Sequence, residues 1–173
     1  MAVIDLKKCI IKFKDGSGTP KELQIKIGEG TISYDEKRNI IYDMDRGKLD
    51  SVRAGDEVPM DVRLTIRWEW LKSLTGASVP TPEEVLKRNG VAATLGWTSS
   101  DADLCAPYAI DIEIKFDPDC SDLGYETIIL PDFRWESLGH DPKAGTLDVS
   151  GKCNAKMASV TRTAQSDSNV GSL

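Results

Sequence analysis

One histidine, His140, stands among the 173 residues, so no mechanism that needs two imidazoles can operate in a single chain. A P-loop and a Rossmann glycine pattern are also missing, which removes the usual cradles for nucleotide phosphates. No GxSxG elbow precedes a helix to activate a serine. No CxxC pair occurs: Cys9, Cys105, Cys120 and Cys153 are scattered singly. There is no long apolar run to span a membrane. The opening MAVIDLKKCIIKFKDG lacks the charged, apolar and small-residue zones of a secretory signal, and the expectation is four reduced thiols. Basic charge is in short supply as well. Against 28 acidic side chains there are 22 lysines and arginines, a net of −6, a poor basis for gripping phosphates. What remains is a 40% hydrophobic chain of mean hydropathy −0.31, too apolar for disorder and long enough for one domain with its own core.

The dominant sequence period is two. Strands are predicted at 9–13 and 21–27, joined by a short Gly- and Pro-bearing turn, then near 31–34 and 39–44. Val62, Leu64, Ile66, Trp68 and Trp70 alternate with Asp61, Arg63, Thr65, Arg67 and Glu69. Tyr108, Ile110, Ile112, Ile114 and Phe116 alternate with Ala109, Asp111, Glu113 and Lys115. Further runs lie at 126–130, 133–135, 146–150 and 158–161, with Pro131 marking a bulge or an edge. Between Asp45 and Pro59 the alternation stops, which predicts a long functional or disordered connection. One short helix is expected from Thr81: an N-cap, Pro82 at the first position, two acids in the first turn, and Asn89-Gly90 as the stop. The fold class is therefore mainly β: an antiparallel sandwich or barrel with one flanking helix. Its sheet edges need protection, which closed self-association provides.

Candidate chemistry is thin. Three of the cysteines with His140 offer four metal donors, but the spacings match no finger or ribbon. Cys105 and Cys120 flank a strand of roughly 26 Å, too long for a bridge that tolerates about 7 Å between Cα atoms. The loop Asp117–Asp122 has the oxygen density of a weak calcium site without the EF-hand glycine or terminal glutamate. The expected cofactor set is empty. Charge is uneven: residues 99–150 hold 12 acidic and 3 basic side chains, a net of −9. Such a block either faces solvent or forms a surface that repels a polyanion. Trp68, Trp70, Ile112, Phe116 and Trp135 are candidate core or subunit-interface residues.

Several segments in order, GEGTISYDEKRNIIYDMDRGKLDSVRAGDEVPMDVRLTIRWEWL, PTPEEVLKRNG, GWTSSDADLCAPYAIDIEI and ETIILPDFRWESLGHDPKAGTLDVSGKCNA, resemble the major tail tube proteins of long-tailed bacteriophages. The resemblance covers nearly the whole chain. It implies a single tube domain over 1–163 followed by a flexible tail, 164–173. It further implies homohexameric rings with one continuous inner β-barrel, stacked head to tail into a conduit for genome ejection, in the virion tail. The 45–59 loop, with Arg46, Lys48, Leu49, Asp50, Arg53, Asp56 and Glu57, is then the contact between rings and is mobile in the monomer. Asp61, Glu69, Asp111 and Glu113 are candidates to face the lumen, where DNA passes without being bound. Arg63 and Arg67 sit awkwardly on such a wall. Implied partners are further copies of the chain, a tape-measure protein, a tail terminator and tip or baseplate proteins, with or without a sheath. Related tubes of contractile tails, bacteriocins and secretion needles fit the same pattern, and a metal-binding or hydrolytic β-sandwich is the reading from a different class.

Overall fold

A computed structural model describes residues 9–25, 31–68, 79–116, 125–155 and 157–163. In chain order the elements are β1 (Cys9–Lys14), β2 (Glu22–Ile25), β3 (Ile32–Asp35), β4 (Ile40–Asp45), β5 (Lys48–Ala54) and β6 (Met60–Arg67). Two short helices follow, α1 (Pro82–Lys87) and α2 (Gly90–Thr94), then β7 (Ile110–Phe116), β8 (Tyr125–Asp141), β9 (Thr146–Cys153) and β10 (Ser159–Thr163). Every strand pairing is antiparallel, the mainly β class that the period of two predicts.

The main sheet runs β2-β1-β7-β8-β9-β6-β3, with β10 also paired to β8. Its organiser is β8, a strand of 17 residues against an ordinary span of about 3–10. Up to Phe133 it lies against β7, and beyond that point β9 is its partner among the described strands. The hand-over is a bulge. Ile112 faces Leu130 and Ile110 faces Phe133, so Asp111 opposes both Pro131 and Asp132. Proline has no amide to give a ladder, and Asp132 takes φ +50, so the strand bends here and can serve two partners. Further along, β9 crosses so close to β8 that a Cβ on Gly151 would lie 2.0 Å from the Arg134 carbonyl oxygen. Only glycine fits.

Alternation along β6 and β7 puts Val62, Leu64, Ile66, Ile110, Ile112 and Ile114 inward. With Ile11, Phe13, Leu130, Phe133, Leu147 and Val149 they form one buried cluster, which the helices cover with Val85, Leu86 and Ala92. The helix start is as predicted. Thr81 caps α1, its hydroxyl accepting from the Glu84 amide at 3.3 Å while the Glu84 carboxylate accepts from the Thr81 amide at 3.2 Å.

Two expectations need correction. Asn89-Gly90 does not end the helical region. Arg88 takes the left-handed C-cap, and Asn89 leads into the single turn of α2. Ala92 and Ala93 are strong helix formers, and the burial of Ala92 holds the turn in place. The 45–59 connection is also not irregular throughout. Residues 48–54 form β5 because Arg46 (φ +49) and Gly47 (φ +80) make a two-residue turn with positive φ at both positions, the hand that suits twisted strands.

Candidate assembly surface

The hairpin of β4 and β5 forms a sheet of its own and pairs with no other described strand. Its cross-strand partners sort by chemistry. Ile40 faces Ala54, Tyr42 faces Val52 and Met44 faces Leu49, so one face is apolar. On the other, Ile41 faces Arg53, Asp43 faces Ser51 and Asp45 faces Lys48. That polar face is internally bonded: the Ser51 hydroxyl donates to Asp43 at 3.0 Å, and Arg53 Nε lies 3.5 Å from the same carboxylate. Asp50 is the extra residue of a bulge and is left without a cross-strand partner. The apolar face is bare. Tyr42, Met44, Leu49 and Val52 are each more than half exposed (53–60%). An isolated two-stranded hairpin is marginal in water, and a contiguous apolar face on a projecting arm marks an interaction surface. At the hairpin root, Ala54, Val58 and Met157 line a groove of about 290 Å³ rimmed by Lys37 and Arg38.

The structure thus gathers Arg46, Lys48, Leu49, Asp50 and Arg53 onto one arm, with Asp56 and Glu57 in the segment leading off it. Sequence reading missed Tyr42, Met44 and Val52, which with Leu49 make up its apolar side. Recognising Arg46-Gly47 as a hairpin turn would have exposed the cross-strand pairing.

The described candidate lumen residues lie on β6 and β7, strands of the main sheet that are not neighbours. Asp61 is on the outward side of β6 and accepts from Lys37. Asp111 and Glu113 are on the outward side of β7, and Glu113 is paired with Lys14. Lys12 and Lys14 both reach Glu22, at 3.0 and 3.2 Å, so the β2-β1-β7 face is a ladder of closed ion pairs. Glu113 at its side raises the Lys14 pKa despite partial burial. Much of the acid-rich block is likewise tied to cations or donors: Asp101 to Arg134, Glu126 to Arg162 at 3.1 Å, and Asp132 to the Ser100 hydroxyl at 2.7 Å. Arg63 and Arg67 are exposed on β6, opposite Ser150 and Thr146. Glu69, Trp70, Cys120, the Asp117–Asp122 loop and the 164–173 tail lie outside the described residues.

Ile112 and Phe116 are buried in the sheet, whereas Trp68 and Trp135 are 37% and 40% exposed beside α1. Trp68 meets the His140 ring edge-on at 5.2 Å, and His140 Nε2 lies 3.0 Å from Glu83. The Trp135 indole donates to the Leu86 carbonyl at 3.0 Å. Cys153 is buried, and burial pushes its thiol up to about 12, with Asp111 and Asp132 acting in the same direction. At neutral pH it is a small apolar core residue rather than a thiolate ligand. No helix among the described residues is long and apolar enough to cross a membrane.

Asp111 carries a prediction of its own. Burial raises its pKa, and the neighbouring Asp132 adds to the rise, against the Asp132 amide that donates to Asp111 Oδ1 at 2.9 Å. A carboxyl that holds its proton more tightly folded than unfolded favours the fold at low pH, and this contribution is lost as pH climbs through the raised value. Asp111→Asn keeps the acceptor and removes the charge. The variant should melt above wild type at pH 8, with the gap closing towards pH 4. Thermal melts at both pH values check this, and a variant less stable at pH 8 would refute it.

A solved structure shares this fold. The chain aligns with a chain of the cryo-EM structure of an extracellular contractile injection system, described as the PVC sheath/tube terminator in the extended state. The TM-score is 0.56 at 11% identity, over 93% of this chain and 98% of the other. At that identity the likeness is one of fold. No protein-family profile and no characterised protein matches the chain in sequence.

Proposed function

We propose that the chain is a non-catalytic structural subunit of a tail tube, assembling as six-membered rings that stack into a conduit for DNA. The observation that carries this reading is the projecting hairpin, whose apolar face has nothing to cover it within the described chain. Stacking on the next ring supplies the cover. The β2 and β3 edges at the ends of the sheet path supply the means of lateral closure, because pairing between neighbours removes unpaired edges. The resemblance to phage tail tube proteins and the shared fold with a chain from a contractile injection system point the same way. The lysines closed into pairs on such a wall, Lys14 with Glu113 and Lys37 with Asp61, have little to offer phosphates, whereas Arg63 and Arg67 on β6 stay exposed. A tape-measure protein, a terminator and tip proteins are the expected partners, and the assembled particle is the expected location.

Electron microscopy of the purified chain, alone and with its tape-measure protein, tests the proposal. Hollow filaments of six-fold rings are expected. A monodisperse monomer at every concentration, with and without the tape measure, would overturn it. The fold shared with a sheath/tube terminator motivates a second reading, a subunit that closes the end of a tube. A terminator gives single rings that bind tube ends and arrest growth, whereas a tube subunit elongates.

A further inference from the structure

Glycine follows an aspartate or asparagine at two places in the chain, Asp15-Gly16 and Asn89-Gly90. With no side chain on the glycine to block the approach, its main-chain nitrogen can reach the preceding side-chain carbonyl carbon and close a five-membered imide. The fold treats the two pairs oppositely. Asp15 is buried, and its carboxylate accepts from the Ser17 hydroxyl at 2.7 Å and the Lys21 amide at 2.6 Å. The Gly16 amide is occupied too, donating to the Thr98 carbonyl at 3.3 Å. That pair is locked. Asn89 is exposed, its side chain makes no capping hydrogen bond, and the Gly90 amide meets no acceptor among the described residues. Arg88 and Gly90 take φ +51 and +53, which leaves Asn89 as an extended residue between two left-handed ones. A Cβ on Gly90 would also lie 2.7 Å from Glu84 Oε1, so the junction of α1 and α2 admits no larger residue that would shield the nitrogen.

We propose that Asn89 is a site of spontaneous deamidation, with water as the co-reactant. The Gly90 nitrogen attacks Asn89 Cγ and loses its proton, and the Cγ–Nδ2 bond breaks as ammonia leaves. Water then opens the imide. Attack at Cγ restores the main chain and leaves aspartate, whereas attack at the Asn89 main-chain carbonyl carbon leaves isoaspartate. Either product makes the chain one charge more negative than −6. Aspartate is a good N-cap and keeps α2 in place. Isoaspartate routes the main chain through Cβ and Cγ, which adds an atom between the Arg88 cap and α2 and shifts the turn that seats the buried Ala92.

Peptide mass mapping of the full-length chain held in mildly alkaline buffer tests the site. The mass gain of NH2 replaced by OH should appear at Asn89, and not at Asn39 or Asn154, which precede Ile40 and Ala155. Its rate in the folded chain should lie within about tenfold of the rate in guanidinium, because an exposed segment reacts without global opening. The aged chain should melt below the fresh one. Asn89→Gln, whose longer side chain closes the larger ring poorly, should show neither change, and nothing bonded to the Asn89 side chain is lost by the substitution. An Asn89 still intact in the folded chain after the unfolded chain has reacted, or an equal gain at Asn39, would refute the site. An equal fall in melting temperature on ageing Asn89→Gln would refute the effect on α2.

Discussion

Replacing Met44 and Leu49 together with glutamate is expected to leave a folded monomer that no longer stacks. The two side chains face each other on the apolar side of the hairpin and are 60% and 57% exposed. Burying each against a neighbouring ring is worth about 1.5–3 kcal/mol. Since about 1.4 kcal/mol is a factor of ten, losing both raises the concentration needed for stacking by about two to four decades. A carboxylate forced into an apolar seam costs more still. The monomer loses little, because exposed cross-strand pairs contribute about 0.2–1 kcal/mol. The charges on the same arm make a useful contrast. Arg46, Lys48 and Arg53 are solvated, and exposed ion pairs are worth about 0–1 kcal/mol each. Reversing Lys48 should therefore shift the salt dependence of assembly by less than a decade. Sedimentation against concentration measures both effects, with far-UV circular dichroism to confirm folding. If the double glutamate variant forms tubes at the wild-type concentration, the apolar face is not the seam.

This contrast changes what the sequence pattern meant. The 45–59 stretch reads as a polar loop because its charges dominate the composition, while Leu49 and Val52 become part of an apolar face only after pairing with Met44 and Tyr42 of the preceding strand. Arg46 at positive φ is a poor advertisement for the turn, which Asn or Gly signals more plainly. By contrast, β6 and β7 were legible at once, since each buries one face against a single core and every second residue reports it. The α1 cap was legible because its determinants are local, whereas α2 depends on the burial of Ala92, which no local signal reveals. The acidic block illustrates another limit. Its net of −9 is a sum along the chain, but Glu113 meets Lys14 across a sheet and Glu126 meets Arg162 across another strand. Cross-strand neutralisation is invisible to any count by segment.

Trp97→Ala is expected to be among the most destabilising single substitutions in the chain. Trp97 was not among the tryptophans that alternation places in the core, because it lies in the irregular segment after α2. It is nevertheless 2% exposed and part of the central cluster. Its amide closes on the Ala92 carbonyl at 3.1 Å, past Gly96 at φ +71, so the chain turns sharply to aim the indole inward. The next residue, Thr98, is bonded to the turn between β1 and β2. Asp15, 2% exposed, accepts from the Ser17 hydroxyl at 2.7 Å, the Lys21 amide at 2.6 Å and the Thr98 amide at 3.3 Å. Burial acts to raise the Asp15 pKa, but these hydrogen bonds outweigh it and hold the carboxyl below its usual range. The surrounding chain is therefore fixed and cannot collapse into the space an alanine leaves. Large-to-small changes of this kind cost about 3–5 kcal/mol. For a chain of this length that lowers the melting temperature by about 6–20 °C. Trp97→Phe should recover much of the loss, whereas Asp15→Asn should not rescue Trp97→Ala. The stability that Asp15 lends is present above the ordinary carboxylate range and is lost as pH falls through its lowered value. Asp15→Asn should therefore weaken the fold at pH 7 and matter less near the acid end. A melt of Trp97→Ala within about 3 °C of wild type would mean that this segment is a dispensable cover over the sheets, and the helical layer would have to be struck from the core.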